Sequence, residues 1–196
     1  MKLYAMQGAC SLASHIALIW AGVPYELAML SHAEAGGDAF RQVNPKGAVP
    51  ALVLDGGGVL TESLAVLQHI ARLAPAAHLG AAPGDMLEQA RMDELLADLV
   101  SDIHKAWGPV FVPGRYVTQK ANEDDARQAA FGQLDKQYAR LDTMLQGREW
   151  ALFGRRTVAD AYLDVMCRWK DKTPQPIAHY PALAAFKARL DADLAV

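Results

Sequence analysis

The feature that most restricts the fold of this chain is a change in the spacing of apolar residues near Gly80. Before it, short apolar runs bounded by turn residues alternate with segments whose apolar residues recur every three to four positions. After it, only the helical spacing continues. This pattern predicts a βαβ-ββα unit with a mixed sheet, followed by an all-helical unit.

The first half predicts four strands and two helices. Three glycines follow Asp55 and separate two short apolar runs, which is typical of a β-hairpin. Gly22 follows a segment with helical spacing and marks its end. The Gly-rich stretch 31–38 is predicted to be a loop. The predicted strands lie at 2–6, 24–30, 51–54 and 59–60, and the predicted helices at 10–22 and 63–73.

The second half predicts helices and no strand. A stretch rich in Pro and Gly at 74–85 separates the halves, so we expect a first domain at 1–78 and a second at 86–196. Thr157 and Asp160 have the spacing of a capping box, in which two side chains satisfy free N–H groups in the first turn of a helix. The predicted helices cover 86–107, 124–145, 157–169 and 181–190.

Composition excludes several classes of function. The chain has 196 residues and a formal net charge of −3, without a Lys/Arg-rich run, which argues against nucleic acid as a partner. No apolar stretch approaches the roughly 20 residues of a membrane span. The two cysteines, Cys10 and Cys167, form no disulfide framework, and no Cys/His cluster has metal-site spacing. We therefore expect a cytoplasmic protein without a metal or a membrane partner.

Cys10 lies where the first predicted strand gives way to a helix. The free N–H groups and the dipole of a helix N-terminus favour a negative charge, so a thiol there is expected to ionise more easily than a free cysteine. A free cysteine is as often a small buried apolar residue. The residues alone leave both interpretations open.

Two further stretches predict a place for a peptide-like ligand. Pro50 directly precedes an apolar strand, and a cis Val49-Pro50 bond would leave the backbone of Val49 free to pair with an extended peptide, although a trans bond is commoner. Glu62 and Ser63 stand where a strand ends and a helix begins. Such a site suits a carboxylate at the helix N-terminus and an ammonium group at Glu62, although plain capping by Ser63 or Thr61 is the simpler interpretation.

The order and spacing of four stretches suggest a family. "MKLYxxxGACSLxxHIAL", "NPKGxVPAL", "LTES" and "SDIHKAW" together closely resemble the bacterial glutathione S-transferases of the cysteine-dependent beta class. The resemblance extends over essentially the whole chain. It implies a thioredoxin-like N-terminal domain that binds glutathione, an all-helical C-terminal domain, and a homodimer with each site near the subunit interface.

The resemblance also implies roles for individual residues. Cys10 would face the glutathione sulfur, and Val49, before the family's cis proline Pro50, would pair with the cysteinyl unit. Glu62 and Ser63 would hold the γ-glutamyl group.

In the helical half, His104 matches a histidine near the glutathione sulfur, and Lys105 a neighbouring basic residue. Ser101 and Asp102 match positions that reach the glutathione of the other subunit. Ala97, Ser101 and His104 also share one helical stripe, which predicts either a cleft wall or a solvated face. The apolar electrophile is expected near Trp107 and Phe111.

We therefore predict a glutathione S-transferase that conjugates glutathione to small hydrophobic electrophiles. Two alternatives remain: thiol–disulfide exchange through a mixed disulfide at Cys10, and a non-catalytic binding protein with the same fold. The sequence departs from the family pattern at Gln7, at Ala97 and in a shortened 31–38 loop without lysines, where His32 is the nearest cation. These departures remove groups that the family uses around glutathione.

Overall fold

The computed structural model describes residues 1–193 and contains the predicted mixed sheet. Strands β1 and β2 are parallel, whereas β1 pairs with β3, and β3 with β4, in antiparallel fashion. The order across the sheet is β2-β1-β3-β4, and the predicted hairpin is the β3–β4 pair. The strands are β1 (Lys2–Met6), β2 (Glu26–Leu30), β3 (Ala51–Val53) and β4 (Val59–Thr61).

Two helices from the first half join one apolar core with the sheet. Helix α1 (Ser11–Ala21) and helix α4 (Ser63–Leu73) pack against each other, and Leu3 and Leu52 of the sheet are completely buried in the same apolar cluster. Helix α1 ends at Gly22, which adopts the left-handed conformation that glycine tolerates without steric cost. This packing fixes the first residues of both helices at one end of the sheet.

The prediction of a loop at 31–38 is wrong. The segment forms two short helices, α2 (His32–Gly36) and α3 (Asp38–Arg41). Ser31 accepts a hydrogen bond from the backbone N–H of Glu34, whose side chain accepts one from the backbone of Ser31. The spacing of Ser31 and Glu34 encodes this capping box, which the prediction from the Gly-rich composition missed.

The second half contains helices joined by turns, and no strand occurs in the part of it that the structure describes. The predicted single helix over 86–107 is interrupted: α5 (Met86–Ala97) continues into a π-helical turn (Asp98–His104). A π turn has one more residue per turn than an α turn and frequently occurs at functional sites. The remaining helices are α6 (Gly108–Phe111), α7 (Glu123–Leu145), α8 (Val158–Lys170) and α9 (Pro181–Asp191).

Helix α8 connects the two halves. It packs against α1, α4, α5, the π turn and α9, and one buried apolar cluster contains residues from both halves. The division into domains at 1–78 and 86–196 stays a prediction, and residues 194–196 lie outside the described part of the chain. Among residues 1–193, no helix has both the length and the apolar character that a membrane span requires.

The start of α8 is a buried capping box, as the spacing of Thr157 and Asp160 predicts. One carboxylate oxygen of Asp160 accepts hydrogen bonds from the backbone N–H and the hydroxyl of Thr157, at 2.8 and 2.7 Å. The other accepts one from the backbone N–H of Ala151 at 2.8 Å. Asp160 is 0% exposed, so removing its carboxylate leaves these donors without water as a substitute.

We expect Asp160→Ala to lower the free energy of unfolding by about 3 kcal/mol, because a buried charge-assisted network and a helix cap are lost together. Ser31→Ala removes an exposed capping box and is the matched control, with an expected loss of about 1 kcal/mol or less. Urea denaturation followed by circular dichroism measures both. Equal losses in the two variants would contradict the importance of burial at Asp160.

Candidate active site

A cavity of about 270 Å³ lies between the two halves, where α1 and α4 begin. It brings together six of the residues predicted from the sequence, which come from the start of α1, the loop before β3, the start of α4 and the π turn. These residues are Cys10, Val49, Pro50, Glu62, Ser63 and His104. The cavity also has lining residues that sequence reasoning did not select: Asn44, Lys46, Ala48, Thr61, Val100 and Tyr162.

Cys10 is the N-cap residue of α1 and faces this cavity. Its Sγ lies 3.5 Å from the carbonyl oxygen of Val49, to which the thiol donates a hydrogen bond. The side chain is buried but is not sealed behind aliphatic neighbours. Cys10 is therefore placed to contact the sulfur of a ligand in the cavity.

The predicted direction of the Cys10 pKa is wrong for the protein alone. Burial raises the pKa of the thiol. The Ser63 hydroxyl and the backbone N–H groups of Cys10 and Ser11 act in the opposite direction, but they do not overcome burial. The helix N-terminus contributes as expected, and desolvation of the thiolate outweighs it.

The loop before β3 is fixed by a buried asparagine. Asn44 donates a side-chain hydrogen bond to the carbonyl of Ala48 at 2.7 Å and accepts one from the backbone N–H of Lys46 at 3.2 Å. The Val49-Pro50 peptide bond is cis, as the family resemblance implies. Asn44 thus holds the backbone that places Val49 beside Cys10.

Glu62 and Ser63 join β4 to α4 in an unusual backbone conformation. Glu62 has φ 69° and ψ 124°, a combination that non-glycine residues rarely adopt and that is concentrated at functional sites. Ser63 begins α4 and is 6% exposed. The Glu62 carboxylate forms an exposed ion pair with Lys46 through Oε1. This turn presents a carboxylate and a helix N-terminus to the same cavity.

His104 contacts a tyrosine that sequence reasoning missed. Its Nδ1 lies 2.5 Å from the hydroxyl oxygen of Tyr162, which is completely buried in α8. The ring of Trp169 meets His104 edge to face, with 5.0 Å between centroids. Burial lowers the pKa of His104 and raises that of Tyr162 far above its usual range. Both groups are therefore neutral at physiological pH.

Three predicted residues lie elsewhere. Ser101, Asp102 and Lys105 line a second cavity of about 430 Å³. Residues of α7 and of the 106–116 segment form the rest of its lining. The hydroxyl of Ser101 donates to the carbonyl of Ala97 at 2.6 Å. In a single chain, these residues do not join the cavity that contains Cys10.

Trp107 does not line a cavity, contrary to the prediction. It is 0% exposed, stacks on Phe111 and donates its indole N–H to the Tyr138 hydroxyl at 3.3 Å. A fully buried ring contributes to the core and has no surface left for a ligand. Trp107 continues an apolar helical stripe with Leu99 and Ile103, and such a stripe is typical of a core position.

A larger cavity elsewhere contains none of the predicted residues. It measures about 660 Å³ and is lined mainly by the 75–86 segment and by α4 and α5. It contains no cysteine and no helix N-terminus with a buried hydroxyl. The smaller cavity is the candidate active site, because it combines a thiol, a serine hydroxyl, a carboxylate and an imidazole.

The comparisons with known proteins agree with this geometry. A family profile described as "Glutathione S-transferase, N-terminal domain" matches residues 8–73. The chain is 38% identical to glutathione S-transferase GST-4.5 of Xanthomonas campestris, with 98% of this chain and 94% of that protein aligned. It is 33% identical to glutathione S-transferase GstA of Escherichia coli O157:H7, over 97% of this chain and 92% of that protein.

Solved structures give the same result. A sphingomonad glutathione S-transferase complexed with glutathione superposes with a TM-score of 0.90 at 39% identity, over 100% of this chain and 95% of that chain. A beta-class glutathione S-transferase of Sphingomonas chungbukensis gives a TM-score of 0.89 at 36% identity, over 100% and 94% of the two chains. The chain belongs to the glutathione S-transferase family. The predicted family, thioredoxin-like fold and transferase class are confirmed.

The raised pKa of Cys10 predicts slow alkylation by iodoacetamide in the absence of glutathione. Alkylation requires the thiolate, so the rate is expected to keep rising with pH beyond about 8.5, the pKa of a free cysteine. Mass spectrometry of the carboxamidomethylated protein at a series of pH values measures the rate. Cys10→Ser is the control, since Cys167 is 0% exposed and is expected to stay unmodified. A rate that levels off below pH 8 would contradict the raised pKa.

Proposed function

We propose that the protein conjugates glutathione to small hydrophobic electrophiles. The observation that supports this most directly is the meeting of the Cys10 thiol, the Val49 backbone and the Glu62-Ser63 turn in one cavity. These groups match the parts of a γ-glutamyl tripeptide with a central thiol. Two similar proteins are named glutathione S-transferases, and one similar structure is described as complexed with glutathione.

The γ-glutamyl and cysteinyl parts of glutathione have counterparts in the cavity. The α-carboxylate of the γ-glutamyl group would accept hydrogen bonds from the Ser63 hydroxyl and the N-terminal N–H groups of α4. Its ammonium group would bind the Glu62 carboxylate. Lys46 contacts the Oε1 atom of the same carboxylate. The backbone of Val49 would pair with the cysteinyl unit and thereby direct its sulfur towards Cys10 and His104.

The proposed reaction is a nucleophilic substitution or addition by the glutathione sulfur. The thiol proton leaves for solvent, and the resulting thiolate is stabilised by hydrogen-bond donors in the cavity. With an aryl halide, the sulfur forms a new carbon–sulfur bond while the halide leaves with the bonding electron pair. The protein's part is to lower the thiol pKa and to hold both reactants.

A row of aromatic rings supports an apolar electrophile site. Trp169 lies against His104 and is itself 4.9 Å, between centroids, from Phe111. Phe111 is 41% exposed. The row therefore begins at the candidate site and ends at the exposed part of Phe111, whose ring also contacts Trp107 and the Lys172 ammonium, and a hydrophobic substrate would pack there. We infer that Phe111, rather than Trp107, supplies this surface.

We expect Ser63→Ala to raise the Kd for glutathione about tenfold or more, because a hydrogen bond to a charged group is lost. Isothermal titration calorimetry measures the Kd. Ser14→Ala is the matched control, since Ser14 is also buried and its hydroxyl has no hydrogen-bond partner among residues 1–193. An unchanged Kd in Ser63→Ala would contradict the assignment of the γ-glutamyl site.

Thiol–disulfide exchange at Cys10 is a second candidate. The structure favours it because Cys10 is free and faces the cavity. Cys167 is completely buried and cannot resolve a mixed disulfide, so a glutathione would have to do so. A mixed disulfide between glutathione and a substrate thiol would transfer its glutathionyl group to Cys10 and release the substrate as a thiol. A glutathione would then attack the glutathionyl sulfur, regenerate the Cys10 thiol and leave as glutathione disulfide.

Cys10→Ala separates the two candidates. If conjugation is the main reaction and Cys10 assists it, the variant is expected to lose most turnover of a nitroaromatic halide, as measured by absorbance. If it keeps full conjugation while the wild type alone forms a glutathione adduct by mass spectrometry, the exchange reaction is favoured. Loss of both activities with intact glutathione binding would support a shared role of the thiol.

We also propose that the protein is a cytoplasmic homodimer. Ser101, Asp102 and Lys105 line a separate cavity in the single chain, so they can contribute to a glutathione site only from a second copy. At the start of α5, Met86 and Leu87 are 79% and 68% exposed, which provides apolar surface for such a contact. The two free cysteines suit a reducing compartment.

Light scattering after size exclusion is expected to give twice the chain mass of 21.2 kDa. Leu87→Asp is expected to shift the protein towards the monomer, because it places a charge on the proposed contact surface. Met29→Asp, on the edge strand β2, is the control and is expected to leave the mass unchanged, since Met29 is also exposed, at 52%. A wild-type mass of one chain would contradict the homodimer.

A further inference from the structure

We propose that Tyr162 is a positioning residue for His104. Its hydroxyl donates a hydrogen bond to Nδ1 of His104, which places the single proton of the neutral imidazole on Nε2 and presents that N–H to the cavity. The effect on catalysis rests on the proposed glutathione transferase function. The hydrogen bond and the tautomer do not.

The geometry makes the contact rigid. The Tyr162 hydroxyl oxygen and His104 Nδ1 are 2.5 Å apart, although 58 residues separate them in the chain. Tyr162 is 0% exposed and belongs to α8, whose first turn is fixed by the buried Asp160. The Tyr162 hydroxyl therefore has little freedom to turn away from the imidazole.

A second aromatic residue of α8 restricts the imidazole from another side. Trp169 lies edge to face with His104, at an interplanar angle of 71°. Its indole N–H donates to the carbonyl of Gly8 at 2.9 Å, so the ring is itself held in place. Tyr162 and Trp169 together fix both the position and the tilt of the His104 ring.

The donor in the Tyr162–His104 bond follows from the protons available. A neutral imidazole carries one N–H and one acceptor nitrogen, whereas a buried phenol needs an acceptor for its proton. Nδ1 is the ring nitrogen within reach of the Tyr162 hydroxyl, and among residues 1–193 Nε2 has no hydrogen-bond partner. Donation from Tyr162 to Nδ1 satisfies the phenol and leaves the proton of the imidazole on Nε2. In the opposite tautomer, Nδ1–H would occupy the phenol oxygen, and the phenol proton would have to go to the Ser63 hydroxyl, its other hydrogen-bond partner.

This tautomer determines what His104 does in the cavity. Nε2–H is a hydrogen-bond donor, so it stabilises an anionic sulfur beside Cys10. The same nitrogen does not accept the thiol proton, because its lone pair is already used by hydrogen. His104 therefore stabilises the thiolate instead of acting as a general base, and Tyr162 sets this role through its hydrogen bond to Nδ1.

The direct test is the histidine tautomer in the protein without glutathione. Protein labelled with nitrogen-15 in its six histidines gives ring-nitrogen chemical shifts that distinguish Nδ1–H from Nε2–H, and His104→Gln assigns the His104 signals. We expect the Nε2–H tautomer in the wild type. In Tyr162→Phe, the two tautomers are expected to mix, because the hydrogen bond that selects one of them is gone.

The kinetic test uses the same variant. Tyr162→Phe is expected to lower kcat for conjugation about tenfold, with KM for glutathione within about twofold, because a hydrogen bond that acts through His104 is lost. Tyr138→Phe is the matched control: Tyr138 is also fully buried, but its hydroxyl bonds the carbonyl of Met166, at 2.6 Å, and does not reach His104. The control is expected to leave both the tautomer and kcat unchanged.

Two results would overturn the proposal. One is the Nδ1–H tautomer at His104 in the wild type, a measurement that does not depend on the folding of any Tyr162 variant. The other is a Tyr162→Phe protein with wild-type ring shifts and kcat. If His104 has the Nε2–H tautomer but the protein shows no conjugation, the transferase function is wrong, whereas the hydrogen bond from Tyr162 to His104 stands.

Discussion

The burial of α8 between the two halves is the constraint on which the candidate site depends. Its first turn is tied to Ala151 and Thr157 through the carboxylate of Asp160, and its side chains pack on α1 as well as on the π turn. Tyr162 therefore meets His104, and Trp169 meets the loop before Cys10, as consequences of one helix position. The thiol comes from one half and the imidazole from the other, and α8 sets the relation between them.

The thiol of Cys10 illustrates how two opposing effects are weighed. A helix N-terminus favours an anion by about 0.3–1 kcal/mol, and up to about 2 when partly buried, whereas burial of a charged group can shift a pKa by several units. In this protein burial prevails, so the thiol pKa rises. A ligand that adds hydrogen-bond donors beside the Cys10 sulfur would shift this balance towards the thiolate. The thiol pKa is therefore expected to fall in the complex rather than in the protein alone.

Much of the fold follows from local sequence pattern. The four strands, the hairpin, the end of α1 at Gly22 and the capping box of α8 are each encoded within a few residues, and the structure has them where the pattern predicts them. The capping box at Ser31 was encoded equally locally and was overlooked. Local patterns single out Cys10, the Val49-Pro50 pair and the Glu62-Ser63 turn. His104 was placed at the site only by resemblance to a family, because its proximity to the other residues depends on packing between distant segments.

The remaining features were beyond single-sequence reasoning for one physical reason. Tyr162 and Lys46 acquire their importance from contacts with residues 58 and 16 positions away, which no periodicity reports. Trp107 belongs to an apolar helical stripe, and only its packed neighbours decide whether the ring faces a ligand or the core. The π turn likewise has no signature in apolar spacing, since it shifts the helix by a single residue.

That shift has a consequence for how the helix after Ala97 tolerates change. Each residue of an α-helix advances the side chains by about 100°, so the additional residue in a π turn offsets every later side chain by that angle relative to α5. If the same residues between Asp98 and His104 adopted plain α-helical geometry, every later side chain would rotate by about 100°, which would turn Trp107 out of the core and the imidazole away from α8. A one-residue deletion in the segment would instead give an α-helix whose later side chains keep their present directions, so the π turn absorbs one residue without disturbing the packing that follows it.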